Sequence, residues 1–184
     1  MKTLIACLLV GVSCAVFGLE DWARTPQEEA MCQKRVYARK RSGDPGWNHM
    51  HHYCDGLRFY ERAVRTKGRG DFDSNVAESI GGHRYVLSQT AQNFHMRPEV
   101  LVMLGRAFEL AGKKVEAGQQ YIEALRLNPN FSMAYAALGN FNLKNGDKAE
   151  ALRVYAEGLK RHPKNRYLLS RYKAAGGNPD TLGQ

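Results

Sequence analysis

Apolar residues recur along this chain with helical spacing. Between Trp47 and Lys67, the residues Met50, Tyr53, Leu57, Tyr60 and Val64 follow one another at alternating three- and four-residue intervals, with Cys54 on the edge of the same stripe. That is the pattern of an amphipathic helix. Val76, Ile80, Leu87 and Phe94 predict a second helix. Gly81-Gly82 is expected to break it into two pieces, because each Gly costs about 1 kcal/mol against Ala in a helix interior. Pro26 to Arg39 reads as a shorter helix, and Gly43-Asp44-Pro45-Gly46 and Lys67-Gly68-Arg69-Gly70 read as the connecting loops.

The second half of the chain repeats itself. Pro98 to Phe131 and Ser132 to Asn165 are consecutive 34-residue units with shared landmarks. In the first, Leu104-Gly105 precedes Phe108, Ala117, Tyr121, Ala124 and Pro129; in the second, Leu138-Gly139 precedes Ala151, Tyr155, Gly158 and Pro163. Gly105 lets a second helix approach closely, and Ala117 and Ala151 set the crossing distance. Gly112 and Gly146 are expected as left-handed C-caps, Asp147 with Glu150 as a capping box, and Pro129 and Pro163 as helix stops. Arg166 to Ala175 predicts one more helix, whose Tyr167, Leu168, Leu169 and Tyr172 cover the end of the array before Gly176-Gly177-Asn178-Pro179 stops it.

These units resemble the tetratricopeptide repeat. The resemblance implies an all-α fold, a short right-handed superhelix of antiparallel helix pairs. Its segments are 98–131 and 132–165 as the two repeats, 166–184 as a capping helix and tail, and 19–97 as a degenerate helical region packing on the array. Asn142 stands where the family usually has an aromatic residue and Gly158 where it has Ala, two departures expected to weaken packing in the second unit. The segment His51-His52-Tyr53-Cys54, followed by Gly56-Leu57, is similar to a stretch of exported bacterial tetratricopeptide-repeat proteins and implies a bacterial periplasmic setting.

The first eighteen residues read as an export signal. Lys2 gives a basic start, Leu4 to Val16 is apolar or small, and Val16-Phe17-Gly18 suits a signal peptidase. Thirteen residues span only about 20 Å as a helix against a hydrocarbon core of about 30 Å, so no permanent transmembrane anchor is expected. Lipoprotein processing at Cys14 is the weaker reading, since Gly11 sits where Leu or Val belongs. Cleavage also removes Cys7 and leaves Cys32 and Cys54, which in an exported, periplasmic or secreted protein are expected to form a disulfide.

The chain has 184 residues and a net charge of +9. Residues 34 to 69 hold ten Lys or Arg against Asp44, Asp55 and Glu61. Lys34, Arg35, Arg39, Lys40, Arg41, Arg58, Arg62 and Arg65, interleaved with Trp47, Tyr53, Phe59 and Tyr60, form a candidate patch for an anionic polymer or surface. The competing reading makes the arginines a solvated helix face and the aromatics its core. Asn48 to Asp55 gathers imidazole, thiol and carboxylate, but His49 and His52 share one face while His51 lies nearer Cys54 and Asp55. One helix thus offers at most two good ligands, and no metal is expected; His51, His52 and Asp55 are the candidates were one held.

No Walker loop, HExxH, GxSxG or dinucleotide-binding glycine pattern is present, so neither a cofactor nor an enzyme is expected. By position, the family's inner-helix surface falls on Glu99, Val102, Met103, Arg106 and Glu109, then Met133, Ala136, Asn140 and Leu143, then Ser170 and Arg171. This implies a groove for a protein or peptide partner, Arg106 and Arg171 gripping an acidic group and Asn140 a backbone. The carboxylate clamp of the chaperone-binding subclass is incomplete, because Val102 stands where its first Lys would be. The expected function is a non-enzymatic adaptor or scaffold.

Overall fold

The computed structural model describes residues 24–182. The export signal, Cys7 and Cys14 lie outside the described residues. Eight helices follow one another without a strand among those residues: α1 Pro26–Arg35, α2 Met50–Arg65, α3 Phe72–Gln89, α4 Arg97–Leu110, α5 Lys114–Leu127, α6 Ser132–Lys144, α7 Lys148–Arg161 and α8 Arg166–Ala174. Three short 3-10 turns, Tyr37–Arg39, Pro45–His49 and Pro179–Thr181, complete the order. The all-α architecture of helix pairs is as the repeat pattern implies.

Local chemistry fixes the helix ends. Thr25 closes α1 with a capping box, its hydroxyl accepting from the Glu28 amide while the Glu28 carboxylate accepts from the Thr25 amide, and Pro26 occupies the first turn. Asp147 and Asn165 cap α7 and α8 by accepting from Glu150 and Leu168 amides. At Asp147 only that half of the expected box forms. Gly112 and Gly146 turn the chain between paired helices at φ 72° and 88°, in the left-handed region where a side chain is strained.

Each pair packs as an antiparallel hairpin, α2 on α3, α4 on α5 and α6 on α7. One device recurs in all three: a glycine on the first helix receives an aromatic ring from the second. A Cβ on Gly105 would meet Tyr121 at 2.5 Å, one on Gly139 would meet Tyr155 at 2.3 Å, and one on Gly56 would meet His83 at 2.8 Å. These rings are fully buried. The repeat marks Gly105 as a point of close approach, with Gly139 at the same offset, without naming the ring that enters; the third is hidden because a longer α2 and loop shift its register away from the 34-residue period.

Two sequence expectations yield to packing. Gly81-Gly82 does not break α3, which runs unbroken through both. A Cβ on Gly82 would meet the His52 carbonyl oxygen at 2.7 Å and the Gly56 nitrogen at 2.9 Å, so its lack of side chain lets α3 touch the α2 backbone and the contact offsets the propensity cost. Gly158 does not loosen the second repeat either. Its missing Cβ leaves room for Tyr135, at 2.7 Å, and Leu168, at 3.1 Å. Pro45-Gly46, read as loop, begins a 3-10 turn capped by Asp44.

Helix α4 is buried from Arg97 to Gly105 because it lies between two clusters. Val100 and Met103 join Trp47, Tyr53, Leu57 and Phe94 on one side; Leu101, Val102 and Leu104 join Tyr121, Tyr135 and Tyr155 on the other. A helix apolar all round is a buried one. The first helices also touch along the array, α2 with α4, α4 with α6 and α6 with α8, while each second helix packs on the first helices around it. The first helices therefore line the inner curve.

Candidate functional site

The inner curve carries a connected polar strip. Arg106 and Asn140 occupy equivalent places in the two repeats, as do Tyr121 and Tyr155. In the first repeat the Tyr121 hydroxyl donates to the Glu109 carboxylate, which also accepts from Lys144 Nζ at 3.2 Å. In the second the Tyr155 hydroxyl donates to Asn140 Oδ1 at 2.8 Å, and Arg171 Nε donates to the same oxygen at 2.7 Å. Asn140 Nδ2 donates to the Tyr167 hydroxyl at 3.2 Å. Asn140 thus spends both acceptor sites and one donor inside the protein, leaving one N–H for a partner.

Electrostatics hold these hydroxyls neutral. Burial, with the bond to Glu109, pushes Tyr121 far above the ordinary phenol value, and burial raises Tyr155 although Arg171 beside it pulls the other way. Tyr60 on α2 is likewise raised by burial, against the charge of Arg106. Neither Arg106 nor Arg171 has a carboxylate partner among the described residues; Arg106 Nη1 lies 3.7 Å from the Met103 sulfur. The strip offers two guanidinium groups flanking a fixed amide, an arrangement suited to carboxylates and carbonyls of an extended chain.

Not every residue placed on this face by position is accessible. Glu99 is 4% exposed, Val102 is fully buried, Met103 is 1% exposed and Ala136 is 4% exposed. Because α4 is covered on both sides, Val102 and Met103 are core. Glu99 is a buried clasp: Arg39 donates to both carboxylate oxygens, at 2.6 and 2.9 Å, and the Tyr53 hydroxyl donates at 2.9 Å. Arg106, Glu109, Asn140 and Arg171 remain on the strip. Tyr167, expected to cover the end of the array, is 55% exposed and joins the strip, while Leu168 and Tyr172 supply the buried cover. Positional transfer from a repeat places Lys144 and Tyr167 poorly, since neither has an equivalent polar residue one repeat earlier.

The basic patch of residues 34–69 is partly spent on folding. Arg39 is held by Glu99. Arg58 is 5% exposed and donates to Asp55, and Arg62 pairs with Glu28 at 2.7 Å, with Arg65 3.8 Å from the same carboxylate. Burial alone would raise Glu28, but hydrogen bonds from Arg62 and the Thr25 amide and the charges of Arg62 and Arg58 prevail and hold it at about 2. Arg58 and Arg62 stack on Phe59, 4.4 and 5.4 Å from its centroid. Tyr53 is buried and Tyr60 half-buried, so the aromatics are core and not base-stacking platforms. What remains solvated is Lys34, Lys40, Arg41, Lys67 and Arg69, with Arg35 half-buried and the Arg39 and Arg65 side chains paired but exposed.

Cys32 and Cys54 are bonded, their Cα atoms 5.4 Å apart, and tie α1 to α2. The histidine run does not converge. No group of three His, Cys, Asp or Glu among the described residues is placed to hold a metal. Asp55 accepts from Arg24 and Arg58, and His51 and His52 stack in series with Tyr85, at 4.1 and 3.9 Å between centroids. No helix among the described residues is long and apolar enough to cross a membrane.

Known proteins agree with this architecture. Residues 121–153 match the tetratricopeptide repeat family. Human Tetratricopeptide repeat protein 6 is 34% identical over 71 residues, which is 39% of this chain and 14% of that protein. The crystal structure of TTC0263, a thermophilic TPR protein of Thermus thermophilus, is similar over 80% of this chain and 69% of its own, with 18% identity and a TM-score of 0.62. With its paired helices, its 34-residue period and its glycine–tyrosine contacts, the chain contains a tetratricopeptide repeat at residues 121–153 and has the fold of tetratricopeptide-repeat proteins.

Proposed function

We propose that the chain is a non-enzymatic adaptor that holds a peptide segment of a partner protein on its inner curve, in the periplasm or secreted space of a bacterium. The observation that carries this is the strip Arg106, Asn140, Tyr167 and Arg171, in which an amide is fixed by three internal hydrogen bonds between two guanidinium groups that no carboxylate neutralises among the described residues. Such groups are oriented before a ligand arrives, which lowers the entropic cost of recognising carboxylates and backbone carbonyls. The Cys32–Cys54 bond suits an oxidising compartment and supports export.

The test is capture from an envelope extract, washed at low and high salt. Arg106→Ala with Asn140→Ala is expected to lose a protein that the wild type retains at high salt, with the helical circular-dichroism signal unchanged. Equal capture by both would remove the inner curve from the account. Retention of nucleic acid or glycolipid alone, released by salt, would instead make the adaptor reading wrong.

A further inference from the structure

A second group of cations without carboxylate partners among the described residues lies at the far end of the array, apart from those of residues 34–69. From Gly158 to Pro179 the chain carries Lys160, Arg161, Lys164, Arg166, Arg171 and Lys173 and no acid. Arg161 is paired with Glu157, and Arg171 turns inward to Asn140. Lys160, Lys164 and Arg166 are exposed at the corner between α7 and α8, with no carboxylate partner among the described residues.

Beside this corner opens a cavity of about 460 Å³ lined by Leu159, Lys160, Pro163, Leu169, Pro179 and Leu182. The 3-10 turn Pro179–Thr181 folds back against α8, and apolar side chains of α7 and α8 lie partly open beside it. Lys160 lines the cavity, Lys164 and Arg166 stand on the adjoining corner, and Asp180 is the one acid beside the lining Pro179, so a predominantly cationic rim beside an apolar floor selects among ligands. A nucleic acid would use the rim and leave the floor empty. A bilayer needs apolar side chains that protrude into it, whereas these are sunken. A peptide with acidic residues around one large aliphatic or aromatic side chain meets both features, carboxylates on the rim and the side chain in the cavity.

We infer that this corner is a second docking site, separate from the inner curve, for an acidic partner segment anchored by one bulky apolar side chain. The experiment is fluorescence anisotropy of the full chain with a fluorescein-labelled peptide of repeated Glu-Glu-Leu units. The matched Glu-Glu-Ser peptide, phosphatidylglycerol vesicles and a single-stranded DNA oligonucleotide serve as competitors. The wild type should bind the leucine peptide at least tenfold more tightly than the serine peptide. Lys160→Glu with Lys164→Glu and Arg166→Glu should weaken both at least tenfold and flatten the salt dependence; Leu182→Ser should close the gap between the two peptides. The weakening by the triple variant should be the same size in wild-type and Arg106→Ala backgrounds, which separates this site from the inner curve.

Full affinity in the triple variant, equal binding of the two peptides, or displacement by vesicles or DNA as strong as by unlabelled leucine peptide would each overturn the assignment. A triple-variant effect that vanishes in the Arg106→Ala background would move the peptide to the inner curve and likewise overturn it. Circular dichroism of each variant distinguishes lost contact from lost fold.

Discussion

Gly81 and Gly82 are neighbours in sequence and opposites in environment, so the same substitution should have opposite effects. Gly81 is exposed in the middle of α3, and nothing lies within 4 Å of a Cβ built on it. Gly81→Ala therefore gains helix propensity without a clash, about 0.5–1 kcal/mol. At Gly82 the added methyl meets backbone of α2, the His52 carbonyl oxygen at 2.7 Å and the Gly56 nitrogen at 2.9 Å. Backbone cannot rotate aside as a side chain tip can, so the two helices must separate. Overpacking costs about 1–3 kcal/mol, and with rigid neighbours the upper part of that range applies. Subtracting the propensity gain leaves Gly82→Ala destabilised by about 1–2 kcal/mol. For a chain of this length each kcal/mol moves Tm by about 2–4 °C. Thermal unfolding followed by far-ultraviolet circular dichroism should show Gly81→Ala melting about 1–4 °C above wild type and Gly82→Ala about 2–8 °C below. Both variants shifting in the same direction would refute the reasoning that contact, and not propensity, keeps α3 whole.

The disulfide and the buried histidine give two further tests. The protein isolated from an oxidising compartment should be two hydrogens lighter than its reduced form. Cys32→Ala with Cys54→Ala should lose about 3 kcal/mol, the loop entropy released across a separation of 22 residues, and free thiols at both positions would contradict the pairing. His83 is held at about 4 by burial, although its Nδ1 donates to the Ser79 carbonyl, and no partner among the described residues reaches its Nε2. Between about pH 6.5 and pH 4 the unfolded chain binds a proton that the folded chain refuses, so stability should fall through that window as pH falls, by about 3 kcal/mol in all. The folded His83 ring should stay neutral at pH 5 in an NMR titration, and a midpoint near 6.5 would sink the argument.

Periodicity exposes what each residue touches along one helix and hides what crosses between helices. The 34-residue period, the paired Gly and Tyr positions and the turn glycines were legible because each answers to local geometry. The continuity of α3 and the use made of Gly158 were not, since both depend on which backbone lies opposite. The same limit governs the site. Arg106, Asn140 and Arg171 could be placed by register, but Glu99 and Val102 share that register and are buried, because a helix covered on both sides has no free face. Charge was read correctly in sum and not in place. Glu28 and Glu99 come from outside the basic run and, with Asp55 inside it, pair with Arg62, Arg39 and Arg58, while the unpaired corner at Lys160, Lys164 and Arg166 looks like an ordinary helix end in the sequence.

The inner-curve claim is most directly tested by site-specific photocrosslinking in the native envelope. A benzophenone amino acid is placed at Tyr167, 55% exposed on the inner strip, and in a second protein at Ile122, 59% exposed on the outer helix α5. Capture of one partner protein from Tyr167, absent from Ile122 and diminished by Arg106→Ala, is the predicted result. Crosslinks from Ile122 with none from Tyr167 would contradict the account.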